Sequence, residues 1–263
     1  MRSRRILIAS ILALGFYGCK KDFPEQTPEQ KALQEDTFAA TNILTVEGVL
    51  NEIEFIAKQV PAINQNGSFL SCATITKQDV EGGQKIDVNF NINTTCSDNT
   101  SRSGKLSLMY YSNGTISVTP SNYVVSNTAI SGTYNFGTES INQVNYLLLN
   151  VLDGKFTSTN GAFINFSVEK RSTIKLGAAT PDFSDDVIEI DQASYQLEVA
   201  NVPANTKIAA ETKTPYTLKY SCSDKFRPRS GAILFQRLGQ NKRMIEFGSG
   251  NCSDVPKLSE IVQ

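Results

Sequence analysis

The sequence predicts a mainly β protein: an antiparallel meander of about a dozen strands, curled into a sandwich or barrel-like roll, with one N-terminal amphipathic helix. Three observations predict it. Apolar residues alternate with polar ones over many short runs, as in Ile86, Val88, Phe90 and Ile92 against Asp87, Asn89 and Asn91, which puts one face in a core and one in water. Turn signals recur roughly every ten to fifteen residues, too closely for crossover helices. Only one stretch has helical period: Ile43, Val46, Val49, Leu50, Ile53, Ile56 and Val60 form an apolar stripe that Pro61 stops.

Taken in order, residues 1–18 read as a secretion signal. Arg2, Arg4 and Arg5 form a basic start, and ILIASILALGF is an apolar run too short to span a bilayer comfortably. Gly18-Cys19 follows, a small residue before a cysteine, which resembles the lipobox of bacterial lipoproteins. An ordinary signal peptide with a chance cysteine is the plainer alternative. In the lipobox reading Cys19 carries palmitate-type acyl chains, and residues 19–36, charged and Pro-bearing, are a flexible tether. Residues 37–61 are the helix, packed by its stripe on the sheet, and residues 67–263 form a single β domain.

Within that domain KIDVNFNI, LSLMYY, ISV, NYVV, AISGTYNF, VNYLLLNVL and AFINFSVEKR read as strands, with hairpin signals at Asn113-Gly114 and Asp153-Gly154. Residues 177–186 read as a loop. The chain continues through Ile188, Ile190, Tyr195, Leu197 and Val199 to Tyr216, Leu218 and Tyr220. With Cys19 taken by lipid, four cysteines remain, and four allow three pairings. Hairpin geometry favours Cys72–Cys96 and Cys222–Cys252, because each pair flanks two apolar runs joined by a polar turn. An echo links the two ends. Cys96-Ser97-Asp98 precedes Arg102-Ser103-Gly104, Cys222-Ser223-Asp224 precedes Arg229-Ser230-Gly231, and Cys252-Ser253-Asp254 repeats the triplet. Duplication and polar turns at strand ends both explain it.

These residues, in the order Cys19, VEGVLNEIEFIAKQV, CATIT, IDVNF, RSGKLSLMYYSNG, NGAFINFSVEKRS, SGAILF and IEFGSGNC, resemble the uncharacterised cell-envelope lipoproteins of Bacteroidota. The resemblance implies an all-β envelope protein with two cysteine pairs. It carries no established activity.

The sequence contains no His, which removes Ser-His-Asp and Cys-His nucleophiles, imidazole zinc sites and the usual general base. Phosphate-loop and dinucleotide glycine motifs and a GxSxG elbow are absent, so no cofactor and no catalytic residue is expected. Without residues 1–18 the chain has 22 Lys and Arg against 26 Asp and Glu, a net charge of −4, which argues against a nucleic-acid partner. Asp182, Asp185, Asp186, Glu189 and Asp191 are weak calcium candidates, although acids at a strand entry are usually just solvated. Tyr110, Tyr111, Tyr123 and Tyr134 are candidates for a sugar platform, against the plainer reading that they cover a core edge with their hydroxyls in water. Lys225, Arg227 and Arg229 around Phe226 and Pro228 suit a glycan or acidic partner, or simply an exposed hairpin tip.

The function expected is a lipid-anchored outer-membrane protein, a non-enzymatic binding or surface-interaction module for a glycan or protein. The alternatives are a periplasm-facing carrier or assembly factor holding an apolar ligand in its curled sheet, and a carboxylate-based glycan hydrolase. Both the surface and the periplasmic face stay open.

Overall fold

The computed structural model describes residues 27–61, 70–180, 183–200 and 206–260, so the expected signal segment and Cys19 lie outside the described residues. One 13-stranded antiparallel sheet dominates. Its strands are β1 (Ala73–Val80), β2 (Gly83–Thr95), β3 (Ser101–Tyr111), β4 (Ile116–Val125), β5 (Thr128–Ser131), β6 (Tyr134–Ile141), β7 (Val144–Ser158), β8 (Phe163–Leu176), β9 (Val187–Ala200), β10 (Thr206–Lys219), β11 (Ser230–Arg237), β12 (Lys242–Ser249) and β13 (Lys257–Glu260). They pair in sequence order, except that β5 and β6 both bridge β4 to β7 and so close a small ring of strands. The cysteine pairs Cys72–Cys96 and Cys222–Cys252 stand at disulfide distance, with Cα atoms 4.9 and 5.5 Å apart. The first closes the β1–β2 hairpin and the second flanks β11–β12.

The helix α1 (Pro28–Gln59) starts earlier than its apolar stripe predicts. Thr27 caps it, Gln30 completes a capping box, and Pro28 supplies a preset first turn. The tether expected over 19–36 is therefore corrected: from Pro28 onward it is helix. The stripe residues Ile43, Val46, Leu50, Ile53 and Ile56 are fully buried.

Burial goes further than one stripe, because Asp36, Glu47, Asn51, Glu52 and Glu54 are buried too. The sheet curls round α1 and meets each of them with a partner. Lys170 of β8 places Nζ 2.6 Å from Asn51 Oδ1 and 3.5 Å from both Glu47 and Glu54. Arg102 of β3 bonds Glu52 at 2.8 Å. Arg237 of β11 and Arg243 of β12 grip Asp36 at 2.7 and 2.6 Å.

The Cys-Ser-Asp and Arg-Ser-Gly echo is one local device used twice. Gly104 and Gly231 have φ of +84° and +85°, and a Cβ there would fall 2.0 Å from the Asn122 carbonyl oxygen and 2.2 Å from that of Pro215. Each glycine sits in a register shift of its ladder, as expected of a bulge that needs a left-handed residue. The preceding arginines are buried beside their triplets. Arg102 donates to both Asp98 oxygens at 2.9 and 2.8 Å, and Arg229 donates to the backbone oxygens of Cys252, at 2.7 Å, and Asp224.

The turn expected at Asp153-Gly154 is instead a bulge inside β7. The Phe166 ring lies over Gly154, where a Cβ would come within 2.2 Å of it, so this glycine makes room for an aromatic ring. The β7–β8 turn lies at Ser158–Ala162, closed by the Ala162 oxygen accepting from Ser158 N–H at 2.8 Å.

Lys170→Ala strands two buried carboxylates and costs about 3–5 kcal/mol, read as the change in urea unfolding free energy; a cost under about 1 kcal/mol would show that the helix is not anchored there. For Asp98, burial raises the pKa, but the hydrogen bonds and charge of Arg102 and the Thr100 N–H outweigh it and hold the carboxyl below its ordinary value. A depressed carboxylate stabilises above its unfolded pKa of about 4, and that contribution is lost as pH falls through the folded value. Asp98→Asn therefore flattens the acid side of a stability-versus-pH curve.

A polar ladder and groove on the outer sheet face

The inner face of six adjacent strands carries the buried row Val118, Tyr134, Val151, Val168, Tyr195 and Ala210, each paired with the next across the sheet. Strand alternation turns the neighbouring residue of each strand outward. The result is a second row in direct cross-strand register: Ser117 (β4), Asn135 (β6), Asn150 (β7), Glu169 (β8), Ser194 (β9) and Glu211 (β10). All six side chains carry hydrogen-bonding groups. At the interstrand spacing the row is about 24 Å long and runs across the strands. A parallel row beside it contains Gly137, Leu148, Arg171 and Gln192, again in register.

This surface is a groove rather than a flat wall. Register shifts at Arg171/Ser172 between β8 and β9, and after Glu211 in β10, bend the strands locally. A groove of about 920 Å³ results, with Tyr111 and Thr115 at one end and Thr212 at the other. Gly137 keeps the floor low, since a Cβ there would meet only the Thr115 methyl, at 3.9 Å. The Arg171 guanidinium stacks 4.7 Å from the centre of the Tyr146 ring. Two groove atoms, Arg171 Nε and Thr212 Oγ1, are buried with no hydrogen-bond partner. Such atoms normally find one, and here both belong to residues that line the groove. Amides, hydroxyls and carboxylates alternate with apolar Leu148 and aromatic Tyr111, a lining that suits a ligand with both hydroxyls and apolar faces.

The candidate tyrosine platform does not form. Tyr123 is wholly buried and donates to Glu52 at 2.9 Å. Tyr134 is equally buried and donates to the Ser131 oxygen at 3.2 Å. Tyr110 donates to the Ala57 oxygen of the helix at 2.7 Å. Burial, and then the Glu52 charge, raises the Tyr123 pKa well above the ordinary phenol value, so its hydroxyl stays a donor. Only Tyr111 reaches the groove.

The basic stretch is also corrected, since Arg229 is fully buried rather than at an exposed tip. Arg227 is tied to Asp224 at 3.1 Å and to the Asp254 oxygen at 3.0 Å. Asp182 lies outside the described residues. The other acids of the calcium cluster do not converge. Asp186 is buried, Asp185 accepts from Thr180 at 2.9 Å, Glu189 pairs with Lys175 at 2.6 Å, and Asp191 accepts from Thr173 at 3.2 Å.

Sequence reasoning missed the ladder. Its members are ordinary outward polar positions, and the only signal for them is alternation, which does not say which strand residues stand side by side. Comparison with protein families, curated proteins and solved structures finds no match.

The partnerless Thr212 hydroxyl gives a direct check. Thr212→Val removes an unpaired buried polar atom, so folding stability is unchanged or rises; a loss of about 1 kcal/mol in chemical denaturation would mean that the hydroxyl is bonded within the protein.

Proposed function

We propose that the protein is an envelope lipoprotein, anchored to the outer membrane through acyl chains on Cys19, that acts as a non-enzymatic binding module for a neutral glycan chain. The N-terminal basic and apolar pattern ending in Gly18-Cys19, and the resemblance to Bacteroidota envelope lipoproteins, support the anchor. The six-strand polar ladder carries the binding reading. Its hydrogen-bonding groups repeat about every 4.8 Å, close to the rise of one β-linked pyranose along a polysaccharide. Tyr111 and Leu148 offer the apolar surface that sugar ring faces need.

The carrier reading has less support. The concave side of the sheet is filled by α1, leaving for an apolar ligand a smaller groove of about 430 Å³ along Leu44, Gly48, Val49 and Phe226. The hydrolase reading has Glu169 and Glu211, two strand spacings apart in the groove. Both are exposed to water, whereas a carboxylic acid serving as proton donor sits against apolar groups.

Calorimetry against a panel of neutral β-linked oligosaccharides, with chromatography of the same mixtures, tests the proposal. Binding without cleavage is expected, and Asn150→Ala or Gln192→Ala each weakens it about fivefold to tenfold, the loss of one hydrogen bond. Absence of heat with every member of the panel, or release of shorter sugars, overturns it.

A further inference from the structure

We infer that one end of the molecule, formed by the first turns of α1 and the β11–β12 hairpin tip, docks directly on the lipid bilayer. The inference rests on the proposed anchor at Cys19. Among the described residues, large apolar side chains are exposed at this end: Leu33 at 54%, Phe38 at 39% and Leu238 at 77%. Ion pairs bring the Leu33 end of α1 and the hairpin tip that carries Leu238 together. Arg237, next to Leu238, binds Glu35 at 2.8 Å and Asp36 at 2.7 Å, two and three residues along α1 from Leu33. Arg243, across the same hairpin, takes the second Asp36 oxygen at 2.6 Å.

The short chain between Cys19 and α1 brings the bilayer to this surface. From Cys19 to the helix cap at Thr27 the backbone spans at most about 28 Å, even fully extended. A lipid on Cys19 therefore keeps the start of α1 within that distance of the membrane, whatever path the intervening residues take. Leu238 on a hairpin tip and Leu33 near a helix end are shapes that enter an interface, and the exposed Lys31, Lys207 and Lys242 nearby suit lipid phosphates.

Docking this way stands the strands on the bilayer and orients the ladder. Glu211 faces Leu234, which lies about 14 Å up β11 from Leu238 at the rise of a strand. The ladder, which crosses the strands, then runs roughly parallel to the membrane, and the glycan it takes is a chain lying in the plane of the envelope.

The sequence contains no Trp, so a single introduced Trp is a clean reporter. Leu33→Trp and Leu238→Trp are compared with Leu176→Trp, which replaces a leucine 65% exposed at the opposite strand end. Each full-length acylated variant is reconstituted in vesicles of phosphatidylethanolamine and phosphatidylglycerol with brominated acyl chains. The expected result is blue-shifted, quenched emission at 33 and 238 and water-like, unquenched emission at 176. Equal quenching at all three positions, or none at 33 and 238, overturns the docking. Intact-mass measurement separates this from the anchor itself. If Cys19 carries no acyl chain, a maleimide phospholipid coupled to its thiol restores the tether and the same comparison decides the docking.

Discussion

One ammonium group, that of Lys170, fixes how helix and sheet meet. Glu47, Asn51 and Glu54 lie at i, i+4 and i+7 on α1, hence on one face, and all are buried. They are shut off from bulk solvent, so a cation must stand at one place on the sheet. A buried ion pair is weak evidence for stability, since apolar residues of similar volume often do better. What it supplies here is seating. A helix slid by one turn would bury Glu47 or Glu54 among apolar side chains, at a cost of several kcal/mol per stranded ion. Arg237 with Asp36, nearer the start of α1, and Arg102 with Glu52, within the same stretch as the Lys170 partners, repeat the constraint.

The same residue ties the core to the outer surface. Glu169, Lys170 and Arg171 are consecutive in β8, so an inward Lys170 sends its two neighbours outward into the groove. A strand shifted by one residue would turn the whole row over, placing Glu169 and Arg171 against α1. Tyr195 does the equivalent in β9. Its hydroxyl donates to Glu47 at 2.5 Å and meets the Tyr216 hydroxyl at 2.6 Å. Burial, and then the Glu47 charge, raises the pKa of both phenols well above the ordinary value, so both remain protonated and can bond. With Tyr195 inward, Ser194 stands outward in the ladder.

Much of this fold was legible in the residues. Ile86, Val88 and Phe90 alternate because one face is buried, and α1 has one apolar stripe because the core needs it. The polar flank of α1 was not legible as buried. Glu47, Glu52 and Glu54 look like a solvated face until strands far along the chain bring Lys170, Arg102 and two tyrosines to them. The Asp153-Gly154 pair misled because a glycine that admits a ring and a glycine that turns a hairpin share one letter. Arg102-Ser103-Gly104 and Arg229-Ser230-Gly231 were visible as an echo, but the left-handed bulge and the buried guanidinium behind it depend on neighbouring strands. The ladder was the least legible feature, since register is a property of pairs of strands rather than of any one of them.

A helix that fills the concave face leaves the outside of the sheet as the surface on which a large ligand can act. There the ladder has an advantage that a loop site lacks. Each of its six residues is flanked along its strand by a side chain locked in the core: Ser117 by Ile116 and Val118, Asn150 by Leu149 and Val151, Ser194 by Ala193 and Tyr195. The backbone under every hydrogen-bonding group is thus held in place before any ligand arrives. Binding then orders little of the protein, and the entropy lost is mainly that of the ligand. Hydroxyl-rich chains gain little from each hydrogen bond exchanged with water, so they need many such groups already spaced correctly. A row built on six paired strands supplies that spacing from the sheet geometry itself.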